Sequence, residues 1–161
     1  MYNVIILFGV SGCGKSLIGY QLSKYLHFEF IEGDDYHSNE NIKKMKNNIP
    51  LNDDDREAWL DNINKELNKL RNKNVVIACS ALKEIYRKRL VKGIVSKIYW
   101  FCLKGTFDLI KERLDYRGDH YFKSALLKSQ FDIIEYPDYC KFIDVNESPD
   151  KIVERIKSEF K

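Results

Sequence analysis

The 161 residues predict an α/β fold of three layers, with a five-stranded parallel sheet between two layers of helices. Three observations carry the prediction. Short apolar runs alternate with stretches of helical spacing along the whole chain. The runs are continuous and β-branched, as in "VVIACS" (75–80), which is the pattern of strands buried on both faces. The first run also opens directly into a glycine-rich turn that leads into a helical pattern.

Taken in order, the strands are expected at Asn3–Phe8, Phe28–Glu32, Asn74–Cys79, Lys97–Leu103 and Lys141–Val145. "SLIGYQLSKYL" (16–26) fills the first gap as a helix. In the second gap Trp59, Leu60, Ile63, Leu67 and Leu70 fall on one helical face. Asp53, Asp54 and Asp55 precede them, and carboxylates suit the partial positive charge of a helix start. On those grounds Asp53 and Asp55 read as helix-starting residues and Trp59 as core. Lys83 and Arg87, four apart, are expected on one face of the helix after the third strand. Ser148 and Pro149 fit the N-cap and first residue of a last helix. Such alternation implies right-handed crossovers, with ligands beyond the carboxyl ends of the strands.

Composition narrows the function. Hydrophobic residues make up 44% and charged residues 32%, the balance of one ordinary soluble domain spanning 1–161. "VIILFGV" is far too short to cross a bilayer, and no secretory signal pattern is present, so no membrane partner is expected. A net charge of +3, with acidic residues interrupting the Lys and Arg throughout, gives no concentrated basic stripe for nucleic acid. Cys13, Cys79, Cys102 and Cys140 form no CxxC pair, so zinc is not expected; reduced thiols and a cytoplasmic location are.

Residues 9–16, "GVSGCGKS", match Gly-x4-Gly-Lys-Ser, the phosphate-binding loop (Walker A) pattern. Gly9, Gly12 and Gly14 let backbone N–H groups, with those of Val10, Ser11 and Cys13, wrap a phosphate. Lys15 reaches for the β- and γ-phosphates, the Ser16 hydroxyl is a ligand for Mg²⁺, and the next helix aims its N-terminus at the anion. The pattern points to a nucleoside triphosphate and leaves the fate of its γ-phosphate open. A small-molecule kinase and a regulatory nucleotide switch both use it. The switch needs an Asn-Lys-x-Asp base reader, and "NKNV" (72–75) puts Val75 at the Asp position.

"EGDDYH" (32–37) closes the second strand with three carboxylates and a histidine. A kinase must hold an acceptor hydroxyl in line with the γ-phosphate, and Asp34 is placed to orient that hydroxyl and take its proton. His37 could serve as a neutral hydrogen-bond partner.

Beyond the loop, the blocks "GDDYHSNENIKKM", "IPLNDDDREAWL", "CSALKEIYRKRL", "LKGTFDLIKERLDYRGDHYF" and "LLKSQFDIIEYP" follow in order across most of residues 4–137. In these blocks the chain resembles the gluconate kinases of the thermoresistant gluconokinase type, a family of P-loop small-molecule kinases related to shikimate kinase and nucleoside monophosphate kinases. The resemblance implies the P-loop kinase fold with a mobile lid around residues 113–125. It also implies ATP and Mg²⁺ as cofactors, gluconate as acceptor, 6-phosphogluconate as product, and a homodimer. It makes Asp34, His37, Arg56, Lys83, Arg87 and His120 the substrate-binding set. Arg113, Asn146 and Pro149 are implied at the base pocket, Arg117 as the lid cation acting on the transferring phosphoryl group, and Glu32 as a second contact to Mg²⁺. Arginine suits a carboxylate because its planar fork can donate two parallel hydrogen bonds. Three positions depart from the family pattern: Glu32 stands where many members have Asp, Cys13 where Ser is usual, and "RGDHY" where Arg-Lys-Gly-His-Phe is common. A thiol beside phosphate also raises an expectation of oxidant sensitivity.

Overall fold

The computed structural model describes residues 1–117 and 124–160. Five strands form one parallel sheet: β1 (Asn3–Phe8), β2 (Glu29–Glu32), β3 (Val75–Ala78), β4 (Lys97–Lys104) and β5 (Lys141–Asp144), in the spatial order β2-β3-β1-β4-β5. Ile6 of β1 aligns with Ile77 of β3 on one side and Trp100 of β4 on the other. β3 is buried along its whole length, as is β1 from Val4 to Phe8, which is why their sequences lack alternation.

The strand ends differ from expectation by a residue, for local reasons. Phe28 does not start β2 because its N–H caps the preceding helix at Ser23 O (2.9 Å), just after His27 turns left-handed at φ 57°. Asn74 precedes β3 and spends its side chain on the Asn3 N–H (2.8 Å).

The described helices are α1 (Lys15–Leu26), α2 (Asn39–Lys46), α3 (Asp53–Lys69), α4 (Glu84–Leu90), α5 (Phe107–Arg117), α6 (Ser124–Ile133) and α7 (Pro149–Phe160), with a 3-10 turn at Gly33–Tyr36. α1 packs on α7, α3 on α4 and α5 on α6. Right-handed crossovers put α1 and α3 on opposite faces of the sheet, so the three-layer architecture stands. α3 begins with a capping box: Asn52 Oδ1 accepts from Asp55 N (2.8 Å) and Asp55 Oδ2 from Asn52 N (3.0 Å). Its apolar face buries Trp59, Leu60, Ile63 and Leu67, each contributing about 1.5–3 kcal/mol of burial. Among the described residues no helix is long and apolar enough to cross a membrane.

The chain runs leftward from β1 to β2 and later returns rightward to β4, which makes the carboxyl end of β1 the switch point of the sheet. The glycine-rich loop begins there.

Candidate active site

The loop between β1 and α1 is shaped by backbone that only glycine adopts without strain. Gly9 sits at φ 146°, where an added Cβ would come within 2.6 Å of Leu103 O. Gly12, at φ 81°, lies under Leu114 of α5, whose Cγ would be 2.7 Å from a Cβ there. Gly9 N–H donates to Ser80 O (3.3 Å), tying the loop to the segment after β3. Lys15 Nζ lies along the loop, donating to Val10 O at 2.9 Å. Cys13 is buried at 1% exposure, with its Sγ 3.9 Å from Lys15 Nζ, so the thiol is shielded from solvent oxidants.

Ser16 and Glu32 meet across the ends of β1 and β2. The Glu32 carboxylate accepts from Asp34 N–H at 3.3 Å, and the Ser16 hydroxyl lies near enough to favour its charged form. Burial raises the pKa of Glu32 above the ordinary carboxylate value, against the lowering effect of Ser16. Among the described residues no three His, Cys, Asp or Glu side chains converge as a metal site. A hydroxyl and a carboxylate are hard oxygen donors, and such a pair suits Mg²⁺, which takes one or two protein oxygens and completes its shell with phosphate and water.

Beside the loop lies a cavity of about 140 Å³. Ser11 of the loop, Asp34, His37, Arg56, Ser80 and Gln130 supply its polar groups, while Ile42, Met45, Leu51, Trp59 and Leu126 form an apolar wall. Trp59 is buried, as expected of core, yet it also builds the site. Its indole N–H donates to Gly33 O (2.7 Å), and its ring stacks on His37 at 4.3 Å between centroids.

His37 is held neutral. Burial pushes its pKa down from 6.5 to about 4; Asp34 opposes that shift and Arg56 adds to it. A group depressed in the folded state keeps its full stabilising contribution above pH 6.5 and loses it as pH falls through about 4. Proton NMR should show the His37 ring titrating near pH 4, with no change between pH 5.5 and 8. A midpoint near 6.5 would make it a cation on the acid side of neutrality and overturn this assignment.

Arg56 lies in the cavity wall at 7% exposure. Its Nη1 donates to Leu51 O (2.7 Å) and Tyr86 OH (3.1 Å), and its guanidinium lies 5.2 Å from the Tyr86 ring centroid. Lys83 and Arg87 do not share a helix face: Lys83 is the residue before α4, with an extended backbone, and Arg87 points inward from the helix. Lys83 Nζ pairs with Asp53 Oδ1 (2.9 Å), which also accepts from Tyr86 OH, so Lys83 joins Arg56 through Tyr86. Arg87 is 1% exposed. Its Nη1 donates to Ala81 O (2.9 Å) and Leu82 O (3.1 Å), its Nε to Tyr139 OH (2.9 Å), and its Nη2 pairs with Glu84 (3.1 Å). Neither Lys83 nor Arg87 lines the cavity among the described residues.

On the far side of the loop, Arg113 of α5 donates to Val145 O (2.5 Å), which brings it beside Asn146 and the Pro149 start of α7. Asn146 and Pro149 are exposed, and Asn146 N–H donates to Asp144 Oδ1 (2.9 Å). Arg117 ends α5 with its side chain exposed. His120 and Asp119, with the rest of the 118–123 part of the expected lid, lie outside the described residues.

Sequence reasoning missed two polar residues here. Asn41, buried, donates from Nδ2 to Asp55 O (2.8 Å) and contacts His37 Nδ1 (3.3 Å). Gln130, also buried, accepts the Ser11 N–H at Oε1 (2.7 Å). Both stand inside blocks that carry the family resemblance, but an isolated amide gives no signal of its partner.

A phosphate loop after the first strand of a 2-3-1-4-5 parallel sheet, facing a carboxylate at the end of the second strand, defines a P-loop small-molecule kinase. The model of the shikimate kinase family matches residues 11–160. A probable gluconokinase of Dictyostelium discoideum is 41% identical over 167 residues, covering 95% of this chain and 84% of that protein. The thermoresistant gluconokinase of Escherichia coli (strain K12) is 41% identical over 138 residues, covering 84% of this chain and 78% of its own. The crystal structure of a gluconokinase from Sinorhizobium meliloti 1021 superposes with a TM-score of 0.84 at 34% identity, covering 98% of this chain and 95% of that one. The chain belongs to the gluconokinase family, on a domain of shikimate kinase type.

Proposed function

We propose that the protein transfers the γ-phosphoryl group of ATP to the terminal hydroxyl of D-gluconate, giving 6-phospho-D-gluconate and ADP. One observation carries the reading: a single cavity joins Ser11 of the phosphate loop to Asp34, His37 and Arg56. The nucleotide phosphates lie on residues 9–16 and the acceptor in the cavity. Arg56 and neutral His37 hold the polyol acid, and Asp34 orients the attacking hydroxyl and accepts its proton as the O–P bond forms. Lys15 balances charge on the phosphates. Arg113, Asn146 and Pro149 flank the base, while Arg117 and His120 act from the lid around 113–125. Lys83 and Arg87 act at one remove, through Tyr86 and the 79–83 loop. Ser16 and Glu32 would hold Mg²⁺, which supplies charge neutralisation at the phosphate oxygens when bound.

A cytoplasmic single-domain enzyme belongs to this reading, because it draws on the ATP pool. So does a homodimer, for which sedimentation equilibrium should return twice the 19.0 kDa chain mass; a monomer mass would remove it. A shikimate-type acceptor is the second reading, favoured by the family-model match over residues 11–160.

ADP release over a panel of gluconate, shikimate, other sugar acids, AMP and water tests both. Gluconate should dominate, water-only hydrolysis should be slight, and EDTA should stop turnover. Preference for shikimate would transfer the site to the second reading.

A further inference from the structure

We infer that Gln130 is an acceptor-binding residue, which donates a hydrogen bond from its carboxamide Nε2 to one oxygen of the polyol acid. The inference rests on the gluconate reading above and deepens it. Gln130 sits on α6, is 7% exposed, and lines the same cavity as Arg56 and His37.

Its orientation is fixed by the phosphate loop. Ser11 N–H is a donor only, so the carboxamide must present Oε1 to it, and that contact is short at 2.7 Å. The opposite corner of the same planar group is then Nε2, with two N–H donors and no acceptor capacity. Buried side-chain polar atoms lacking a protein partner are confined, among the described residues, to Gln21 Oε1 and Asn48 Oδ1. Gln130 Nε2 is not among them; with Oε1 on Ser11, it is the corner of the amide left for the cavity that the residue lines.

The chemistry of the cavity gives that donor a purpose. Asp34 can accept, neutral His37, whose Nδ1 takes the Asn41 contact, presents its Nε2–H as a donor, and the apolar wall of Ile42, Met45 and Leu126 can do neither. A carboxamide donor added to the Arg56 guanidinium and the serine hydroxyls suits an acceptor rich in hydroxyl oxygens better than one that has only its carboxylate. A buried donor built for an oxygen rejects analogues lacking that oxygen, because the donor is then left unpaired. The same amide touches the loop that cradles the phosphates, so acceptor and nucleotide are read by one side chain.

The test pairs Gln130 variants with singly deoxygenated gluconates. In the wild type, removing the contacted hydroxyl should raise KM about tenfold or more. In Gln130→Met, gluconate itself should show that increase, and the same deoxy analogue should show no further one, while penalties at the other hydroxyls persist. Gln130→Glu, which replaces the donor with an anion, should raise the gluconate KM at least as much and leave the ATP KM within about twofold. Unchanged penalties for every deoxy analogue in Gln130→Met, or ATP and gluconate KM rising together in both variants, would reduce Gln130 to a support of the phosphate loop and overturn the inference. If Gln130→Met fails to fold, Gln130→Glu decides alone by the same KM split. Should wild type prefer another hydroxy acid, the gluconate reading falls, and the cycle is run on that acid's deoxy analogues. If it phosphorylates none, both fall.

Discussion

Asp34→Asn should lower kcat with gluconate by about 10²–10⁴-fold, the usual contribution of a positioned general base. The ATP KM should stay within about twofold, because Lys15 is held by Val10 O of its own loop and the Asp34 backbone N–H keeps its bond to Glu32. The substitution preserves shape and the backbone N–H that donates to Glu32, so the local turn survives. What disappears is the charge and the capacity to take a proton. A second readout separates loss of chemistry from loss of fold. The Asp34 carboxylate holds the His37 pKa up against burial, so its removal should move the His37 midpoint below about 4. Lowered turnover with that shift, and an unchanged melting temperature, places Asp34 at the reacting hydroxyl. Near-normal turnover removes it from the mechanism.

The same residue shows why so much of the site could be read from the chain. Asp34 follows β2 directly, and the phosphate loop follows β1, so two local motifs at two strand ends meet once the sheet is parallel. A continuous apolar run announces β1, the short "FEFI" (28–31) marks β2 less plainly, and "GKS" announces the anion. Helix α2, at eight residues with a polar composition, carries too little periodicity to be seen in the sequence. Asn41 and Gln130 escape for another reason. Each is a neutral amide whose partner lies 14 or 119 residues away, and only the tertiary fold brings the two together. Lys83 and Arg87 were legible as cations, but not in their direction. A spacing of four suggests a shared face only when both residues are helical, and Lys83 stands before the first turn.

Arg87→Met should cost on the order of 3 kcal/mol of stability, the range for removing one member of a buried, hydrogen-bonded charge network. In a domain of this size that is a fall of about 6–12 °C in melting temperature. The reason lies in what Arg87 holds. Ala81 is a buried non-glycine residue in the left-handed region at φ 36°, a strained conformation that needs its surroundings to enforce it. Arg87 Nη1 clamps the carbonyls of Ala81 and Leu82, while Nε reaches Tyr139 and Nη2 reaches Glu84. Ser80, one residue earlier, accepts the Gly9 N–H, so the clamp fixes the register of the 79–83 segment against the phosphate loop. Arg87→Lys keeps the charge, but its ammonium cannot span all four partners, and it should recover less than half of the loss. Activity discriminates the two roles open to Arg87. If it gripped the gluconate carboxylate, Arg87→Met would raise the gluconate KM while the melting temperature stayed put. As a clamp, its removal should lower the melting temperature and kcat together and weaken ATP along with gluconate. Ala81→Gly, which relieves the strain at φ 36°, should then restore part of the stability in the Arg87→Met background. Additive effects of the two substitutions would mean that Arg87 and the strained turn are not coupled, and the clamp would be wrong.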